Sequence, residues 1–136
     1  MSGARIAHAA VWARGEEGLE RLRDFYERHF GARAGRRYES ANRPGFVSYF
    51  LAFPGDDGAV WLELMTAPDL VAPSDGDAVG YAHLALSLGS RAAVDEAAAR
   101  LVDAGVPLVS APRVTGDGYY EAVVRDPEGN LLELTE

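Results

Sequence analysis

Two histidine–glutamate pairs recur along the chain at similar spacing. His8 stands near the start of the apolar segment Ile-Ala-His-Ala-Ala-Val-Trp, and His83 stands near the start of Tyr-Ala-His-Leu-Ala-Leu-Ser. Each segment is followed by a helical pattern and then by strand patterns that end in Leu-Glu-Leu, which holds Glu63 in the first half and Glu133 in the second. The histidines are 75 residues apart and the glutamates are 70 residues apart. This spacing indicates a duplicated unit with a few small insertions.

These four side chains could form a metal centre. Strand alternation turns the leucines beside Glu63 and Glu133 toward a core and the carboxylates to the opposite face, which His8 and His83 share. A buried carboxylate is costly unless it faces water, pairs with arginine or binds a metal. Taken singly, each residue is also typical of a solvated strand. Because the pair occurs twice, two imidazoles and two carboxylates would meet, a set that suits Ni, Zn, Co, Fe or Mn, with one divalent ion per site.

Two helices are predicted to position the strands. The first is expected from about Glu16 to Phe30, because apolar residues recur there at three-to-four spacing. The second is expected to begin after Ser90, a favourable N-cap residue, and to end before Gly105.

Strand patterns follow each helix, so each half reads as βαβββ. The clearest patterns are Phe46 to Phe53, Val60 to Met65, Tyr119 to Val124 and Leu131 to Thr135. A third strand in each half is expected around Ala34–Tyr38 and Leu108–Ser110. Residues 67–80, rich in proline, glycine and aspartate, are expected to link module one, about 4–66, to module two, about 81–136.

Composition excludes several classes of function. The 136 residues carry a net charge of −8, which disfavours nucleic acid and anionic membranes as partners. The chain has no cysteine, which removes disulfides and thiolate chemistry, and all of its basic residues are arginine, which removes Schiff-base lysines. No apolar run is long enough to span a membrane, and no secretory signal is apparent, so a cytoplasmic setting is expected.

The chain resembles the vicinal oxygen chelate superfamily, which includes glyoxalase I, methylmalonyl-CoA epimerase, extradiol dioxygenases and bleomycin-binding proteins. The resemblance covers nearly the whole chain, and its most specific part is Asp126-Pro127-Glu128-Gly129-Asn130-Leu131-Leu132-Glu133. Further matching pieces are the His8 and His83 strands, Asp24-Phe25-Tyr26 with Phe30-Gly31, and Leu62-Glu63-Leu64. The resemblance implies one α+β domain over residues 1–136, with two tandem βαβββ modules that form a curved mixed sheet around a metal-containing cavity.

The four candidate ligands indicate which members are most similar. Dioxygenases of the superfamily use three protein ligands and bleomycin-binding members lack the set, whereas glyoxalase I and the epimerase use four. His8, Glu63, His83 and Glu133 match four. The resemblance therefore implies a metal-dependent lyase or isomerase, similar to lactoylglutathione lyase, that acts on a small 2-oxo aldehyde adduct or related carbonyl compound through an enediolate. It implies Glu133 as the catalytic base, with Glu63 as a ligand or a second base.

Two positions depart from the glutathione-binding pattern. Trp12 and Ala67 stand where bacterial glyoxalase I carries an arginine and an asparagine that hold glutathione. A more aromatic substrate pocket is therefore expected. Its candidate lining is Trp12, Tyr49 and Trp61, each of which could equally be core, and its candidate cover is Arg113, Tyr119 and Tyr120, which could equally be an ordinary loop and strand start.

Two other functions remain open. One is an acyl-CoA epimerase of the same fold, and the other is a non-catalytic drug- or metabolite-binding protein of the bleomycin-resistance type. The expected partners are a small-molecule substrate and a second copy of the chain in a homodimer. The modules could pair within one chain or exchange between two chains.

Overall fold

The computed structural model describes residues 3–56 and 58–136, and the chain divides into two compact units, Met1–Ala72 and Pro73–Glu136. Each unit contains one mixed sheet and one helix, so the α+β class is confirmed. The boundary between the units lies inside the segment predicted to link the two modules.

The first unit builds its sheet around a parallel pair formed by its first and last strands. The sheet order is β1-β5-β4-β2, and β3 also pairs with β4. The β1–β5 pair is parallel and the other pairs are antiparallel. The elements are β1 His8–Trp12, α1 Gly15–Phe30, β2 Arg33–Ala34, β3 Tyr38–Glu39, β4 Val47–Ala52 and β5 Trp61–Thr66.

The second unit repeats this plan. Its sheet order is β6-β9-β8-β7, with β6 and β9 parallel and the other pairs antiparallel. The predicted helix and the two clearest strands are present within a residue or two of their expected ends. The elements are β6 His83–Ser87, α2 Arg91–Asp103, β7 Leu108–Val114, β8 Tyr120–Arg125 and β9 Leu131–Thr135.

Each helix covers the apolar face of its own sheet. Leu19 and Leu22 of α1 are fully buried, as are Leu51 and Leu64 of the strands below them. The helix ends at Gly31, whose φ of 68° and N–H bond to the Glu27 carbonyl, 3.1 Å long, are typical of a left-handed C-cap. The opposite face of each sheet, which carries the histidine and the glutamate, has no helix packed on it within its unit.

The third strand of each unit differs from its prediction. In the first unit it is split into β2 and β3, because the pairing register with β4 shifts by one residue between Ala34↔Leu51 and Tyr38↔Ser48, as a β-bulge requires. In the second unit β7 runs to Val114, four residues past its predicted end. Pro112 lies within it, which an edge strand tolerates because one side of its backbone needs no partner.

No helix in the part of the chain that the structure describes is long and apolar enough to cross a membrane.

The start of α2 depends on one side-chain hydrogen bond. Ser90 Oγ accepts a hydrogen bond from the Ala93 backbone N–H at 3.1 Å. We expect Ser90→Ala to lower the free energy of unfolding by about 1 kcal/mol, because an N–H at the helix start loses its partner. Urea denaturation measures this change. Ser90→Thr should retain most of the stability, and equal stability of Ser90→Ala and the wild type would contradict the capping role.

Candidate metal centre

The parallel pairing of β1 and β5 brings the first histidine and glutamate together. His8 pairs with Trp61, and Ala10 pairs with Glu63, so His8 and Glu63 are diagonal neighbours on the same face of the sheet. His8 Nε2 lies 3.7 Å from Glu63 Oε1. The His8 side chain is 45% exposed and the Glu63 side chain is 14% exposed. The imidazole is therefore open to solvent beside a carboxylate that is largely enclosed.

The second unit repeats the arrangement at the same register. His83 pairs with Leu131 and Ala85 pairs with Glu133, so the glutamate again lies two residues beyond the residue opposite the histidine. His83 Nε2 lies 3.0 Å from Glu133 Oε2, and their side chains are 40% and 20% exposed. The repeat predicted from the sequence thus has an equivalent in three dimensions within each unit.

The donor atoms of each pair fit a divalent cation. Two ligand atoms bound to one cation by bonds of about 2 Å lie about 3 Å apart. The second pair matches this spacing at 3.0 Å, and the first pair is wider at 3.7 Å. Imidazole nitrogen with carboxylate oxygen suits several divalent transition metals. Among residues 3–56 and 58–136, no three His, Cys, Asp or Glu side chains are grouped as a joint metal site. The structure therefore shows two separate histidine–glutamate pairs, and the four-ligand centre stays a prediction.

Phe50 lies beside the His8–Glu63 pair, although it was not among the residues predicted for the site. It pairs with Glu63 across β4 and β5, so its side chain shares the face that carries His8. The Phe50 ring meets the His8 ring edge-to-face at 5.4 Å and the Trp61 ring at 6.5 Å. Counting alternation back from Leu51, which faces the helix, would have placed Phe50 on the site face from the sequence alone.

Both tryptophans lie on this face, as expected. Trp12 is four residues after His8 on β1, and Trp61 stands directly opposite His8 on β5. Both are partly exposed. Trp12 meets Phe46 edge-to-face at 6.2 Å. The face beside the His8–Glu63 pair is therefore aromatic.

Tyr49 lies on the opposite face, in the core, which is the second of the two positions expected for it. It pairs with Leu64 and is buried under α1. Its hydroxyl donates a 2.6 Å hydrogen bond to the Glu20 carboxylate, and the Arg23 guanidinium lies 5.2 Å from its ring centre. Burial raises the pKa of Tyr49, and the bond to Glu20 adds to the increase. The hydrogen bond from Tyr49 to Glu20 therefore links β4 to α1.

Tyr120 is the first residue of β8, as the alternative of an ordinary strand start predicts. Its hydroxyl donates to Asp95 of α2, and the Arg91 guanidinium lies 5.0 Å from its ring centre. It therefore faces the helix and not the side that carries His83. Tyr119 is exposed in the loop before β8, where its carbonyl accepts a 2.8 Å hydrogen bond from the Thr115 N–H.

Glu121 is a second carboxyl beside Glu133 that the sequence analysis did not single out. It lies on β8 two residues before Val123, the partner of Glu133, and so shares the site face. Its pKa is raised by burial first, and then by the hydrogen bond that the protonated carboxyl donates to Glu133 and by repulsion from the Glu133 charge. Arg113, opposite Glu121 on β7, partly offsets this increase. Arg113 thus lies on the face that carries Glu121 and Glu133, and its proposed role as a pocket cover stays a prediction.

Comparison with known proteins identifies the family. The family model described as the Glyoxalase/Bleomycin resistance protein/Dioxygenase superfamily matches residues 5–134. The chain belongs to this superfamily. The resemblance on which the sequence analysis drew is therefore confirmed over nearly the whole chain.

One sequence relative comes from Pseudomonas aeruginosa. The chain is 38% identical over 117 residues to the uncharacterized protein PA2024, a match that covers 82% of this chain and 75% of that protein.

Solved structures of the glyoxalase superfamily share the fold. A glyoxylase/bleomycin resistance protein/dioxygenase domain from Frankia sp. EAN1pec gives a TM-score of 0.79 at 18% identity and covers 98% of both chains. The trypanothione-dependent glyoxalase I of Leishmania major gives 0.72 at 23% identity, with 98% of this chain and 87% of that chain covered. Glyoxalase I from Zea mays gives 0.75 at 23% identity, with 96% of this chain covered; this chain spans only 44% of the maize protein.

The position of Tyr49 generates a stability prediction. Burial disfavours the Glu20 carboxylate, but hydrogen bonds from Tyr49 and Arg23 outweigh burial and lower the pKa of Glu20. A carboxyl with a lowered folded-state pKa contributes stability above its unfolded-state pKa and loses it as the pH falls through the folded-state value. We expect Tyr49→Phe to lower the free energy of unfolding by about 1 kcal/mol at neutral pH, with a difference that shrinks in acid. Urea denaturation at several pH values measures both effects.

A control for this prediction is Tyr38→Phe, which removes the hydroxyl of an exposed tyrosine on β3. That variant should match the wild type at every pH. If Tyr49→Phe also matched the wild type, the hydrogen bond to Glu20 would not stabilise the fold.

Proposed function

We propose that the chain is a metal-dependent lyase or isomerase of the glyoxalase I type. Its substrate would be a small 2-oxo aldehyde adduct or a related carbonyl compound, converted through an enediolate. The observation that carries the proposal is the repeated pairing of histidine and glutamate at the same strand register, at 3.7 and 3.0 Å. Membership of the superfamily and the glyoxalase I fold likeness are consistent with it.

In this proposal the metal is held by His8, Glu63, His83 and Glu133. When bound, a divalent ion such as Ni, Zn, Co, Fe or Mn would polarise the carbonyl oxygen next to the carbon that loses a proton. The chemistry of the donors supports this, because nitrogen and carboxylate oxygen serve all five metals.

Glu133 is the proposed catalytic base. Its carboxylate would remove a proton from the carbon beside the carbonyl and return it to the neighbouring carbon, a role that needs a side chain within hydrogen-bond reach of both. The Glu121 carboxyl lies beside Glu133 on the same face of the sheet. Glu63 would hold the metal from the other pair, or act as the base for the opposite stereoisomer.

A homodimer in the cytoplasm that acts on a small molecule is part of the same proposal. The site needs the pair from a first unit and the pair from a second unit, and both can belong to one chain or come from two. Superfamily membership supports the small-molecule substrate.

A second candidate is a binding protein that holds a drug or metabolite without converting it. The aromatic face formed by Trp12, Phe50 and Trp61 favours this candidate, because partly exposed rings suit an apolar ligand. Such a protein would bind its ligand equally well with and without metal and would release it unchanged.

The metal proposal predicts a stoichiometry near one ion per chain in the purified protein, measured by elemental analysis. His83→Ala should lower this value strongly, because one of four ligands is lost. The matched control is His29→Ala, which removes the third histidine, a residue near the end of α1 that contacts Phe25. Equal metal content in all three proteins would contradict the assignment of His83.

The catalytic proposal predicts isomerisation of the methylglyoxal–glutathione hemithioacetal when Ni, Co or Zn is added to metal-free protein. Glu133→Gln, reloaded with the same metal, should lower kcat by at least about 100-fold because the base is lost. Absence of turnover by the wild type with every metal would exclude this glyoxalase activity and leave the metal site to be judged by its stoichiometry.

Mixing two inactive variants tests how the pairs combine. Both histidine side chains are nearly half exposed in a single chain, which leaves room for ligands from a second chain. We therefore expect that co-refolding His8→Ala with His83→Ala restores activity, since a mixed dimer then holds one intact site. Random pairing would restore about a quarter of the wild-type sites. No recovery, with mixed dimers confirmed by mass spectrometry, would place all four ligands of a working site in one chain.

A further inference from the structure

The loop between β3 and β4 is held in a defined conformation on the first unit. The Ser40 N–H donates to the Phe46 carbonyl, and the Phe46 N–H donates to the Arg43 carbonyl, each at 3.0 Å. Arg43 N–H also donates to Ser40 Oγ at 3.0 Å. Gly45 has φ of 85°, and a Cβ there would lie 2.6 Å from the Pro68 ring. Close packing and three internal hydrogen bonds therefore fix where the loop presents Arg43.

Arg43 lies over two aromatic rings of the site face. Its guanidinium carbon is 5.5 Å from the centre of the Trp12 ring and 5.7 Å from that of Phe46. Trp12 and Phe46 meet almost at right angles, with an interplanar angle of 88°. We call Arg43, Trp12 and Phe46 the arginine shelf. The rings orient the guanidinium by cation–π attraction and leave its edge N–H groups directed away from them.

Arg43 differs from the other arginines that stack or bridge in the first unit. Arg23 is bound to Glu20 and Glu27, and Arg37 is bound to Glu16 and Glu39. Within residues 3–56 and 58–136, Arg43 has no such ion pair. In a chain with a net charge of −8, a fixed cation without a carboxylate partner is available for an anion from solution.

The shelf lies along the strand from the first histidine–glutamate pair. Trp12 pairs with Met65, which is two residues beyond Glu63 on β5 and on the same face. At about 3.3 Å per residue, the shelf is roughly 7 Å along the strand from the row that holds Glu63. A small molecule bound beside His8 and Glu63 can therefore reach Arg43 with its far end.

We propose that the arginine shelf binds the carboxylate of the substrate, whose apolar or aromatic body lies on the face formed by Trp12, Phe50 and Trp61. This inference specifies the substrate class of the proposed function and rests on it. A carboxylate fits better than a polyphosphate, because one planar guanidinium offers a two-pronged donor to one planar anion.

The test uses phenylacetate and its uncharged match, phenylacetamide, in the presence of EDTA. The chain has two tryptophans, so its ¹H–¹⁵N NMR spectrum contains two indole N–H signals. The signal that disappears in Trp61→Phe belongs to Trp61, and the other belongs to Trp12. Phenylacetate should shift the Trp12 signal and bind at least about 10-fold more tightly than phenylacetamide, since a charge-assisted hydrogen bond is formed only with the carboxylate. Equal affinity for the two probes, or a Trp12 signal that does not move, would overturn the proposal.

Substitutions assign the effect to Arg43. Arg43→Gln should weaken phenylacetate binding about 10-fold and leave phenylacetamide binding unchanged, and Arg43→Lys should lie between because it keeps the charge but loses the planar fork. The matched control is Arg21→Gln, which makes the same change of charge on the exposed side of α1. If Arg21→Gln lost as much phenylacetate affinity as Arg43→Gln, the change in net charge alone would explain the loss, which would contradict the arginine shelf.

Metal content measured on the same samples separates this inference from the proposed function. Arg43→Gln should retain the stoichiometry of the wild type, since Arg43 is not a proposed ligand. Carboxylate selectivity without metal binding would uphold the shelf and contradict the metal-dependent enzyme. Metal binding with turnover, but without carboxylate selectivity, would uphold the enzyme and contradict the shelf.

Discussion

The parallel pairing between the first and last strands of each unit is the constraint on which the candidate site depends. In both units it sets the glutamate two residues beyond the residue opposite the histidine, so an imidazole and a carboxylate from distant parts of the chain face each other. A slip of one residue would turn the glutamate toward the helix and expose its apolar neighbours. Burying that carboxylate alone would cost several kcal/mol. The leucines that fill the core therefore also fix the position of the polar pair.

Much of this architecture could be predicted because it depends on local patterns. Helix ends at Gly31 and Ser90, and the alternation around Glu63 and Glu133, follow from backbone conformation and strand geometry. The two histidine–glutamate pairs were therefore identifiable from residue types and spacing. What local patterns cannot supply is register between strands, which is why the bulge between β2 and β3 was missed.

Strand alternation explains where two aromatic residues of β4 lie. Tyr49 was a candidate for the pocket because it is aromatic, but it alternates with Leu51 on the helix side. The same alternation puts Phe50 beside His8. Glu121 was missed for another reason: its link to Glu133 depends on the pairing of β8 with β9, which no single segment reveals. In all three cases the side chain's surroundings follow from its position on the sheet and not from its residue type.

The two tyrosines that face the helices have a consequence for the chain in alkaline solution. The hydroxyls of Tyr49 and Tyr120 each donate a hydrogen bond to a carboxylate of the helix above, and each ring has an arginine stacked on it. The pKa of Tyr49 is raised chiefly by burial, and that of Tyr120 chiefly by its bond to Asp95. Both phenols therefore favour the folded chain while protonated, and this contribution fades as the pH rises through their folded-state values. In strong base each phenolate would repel the carboxylate that it faces. The contact between helix and sheet would therefore weaken in both units for the same reason.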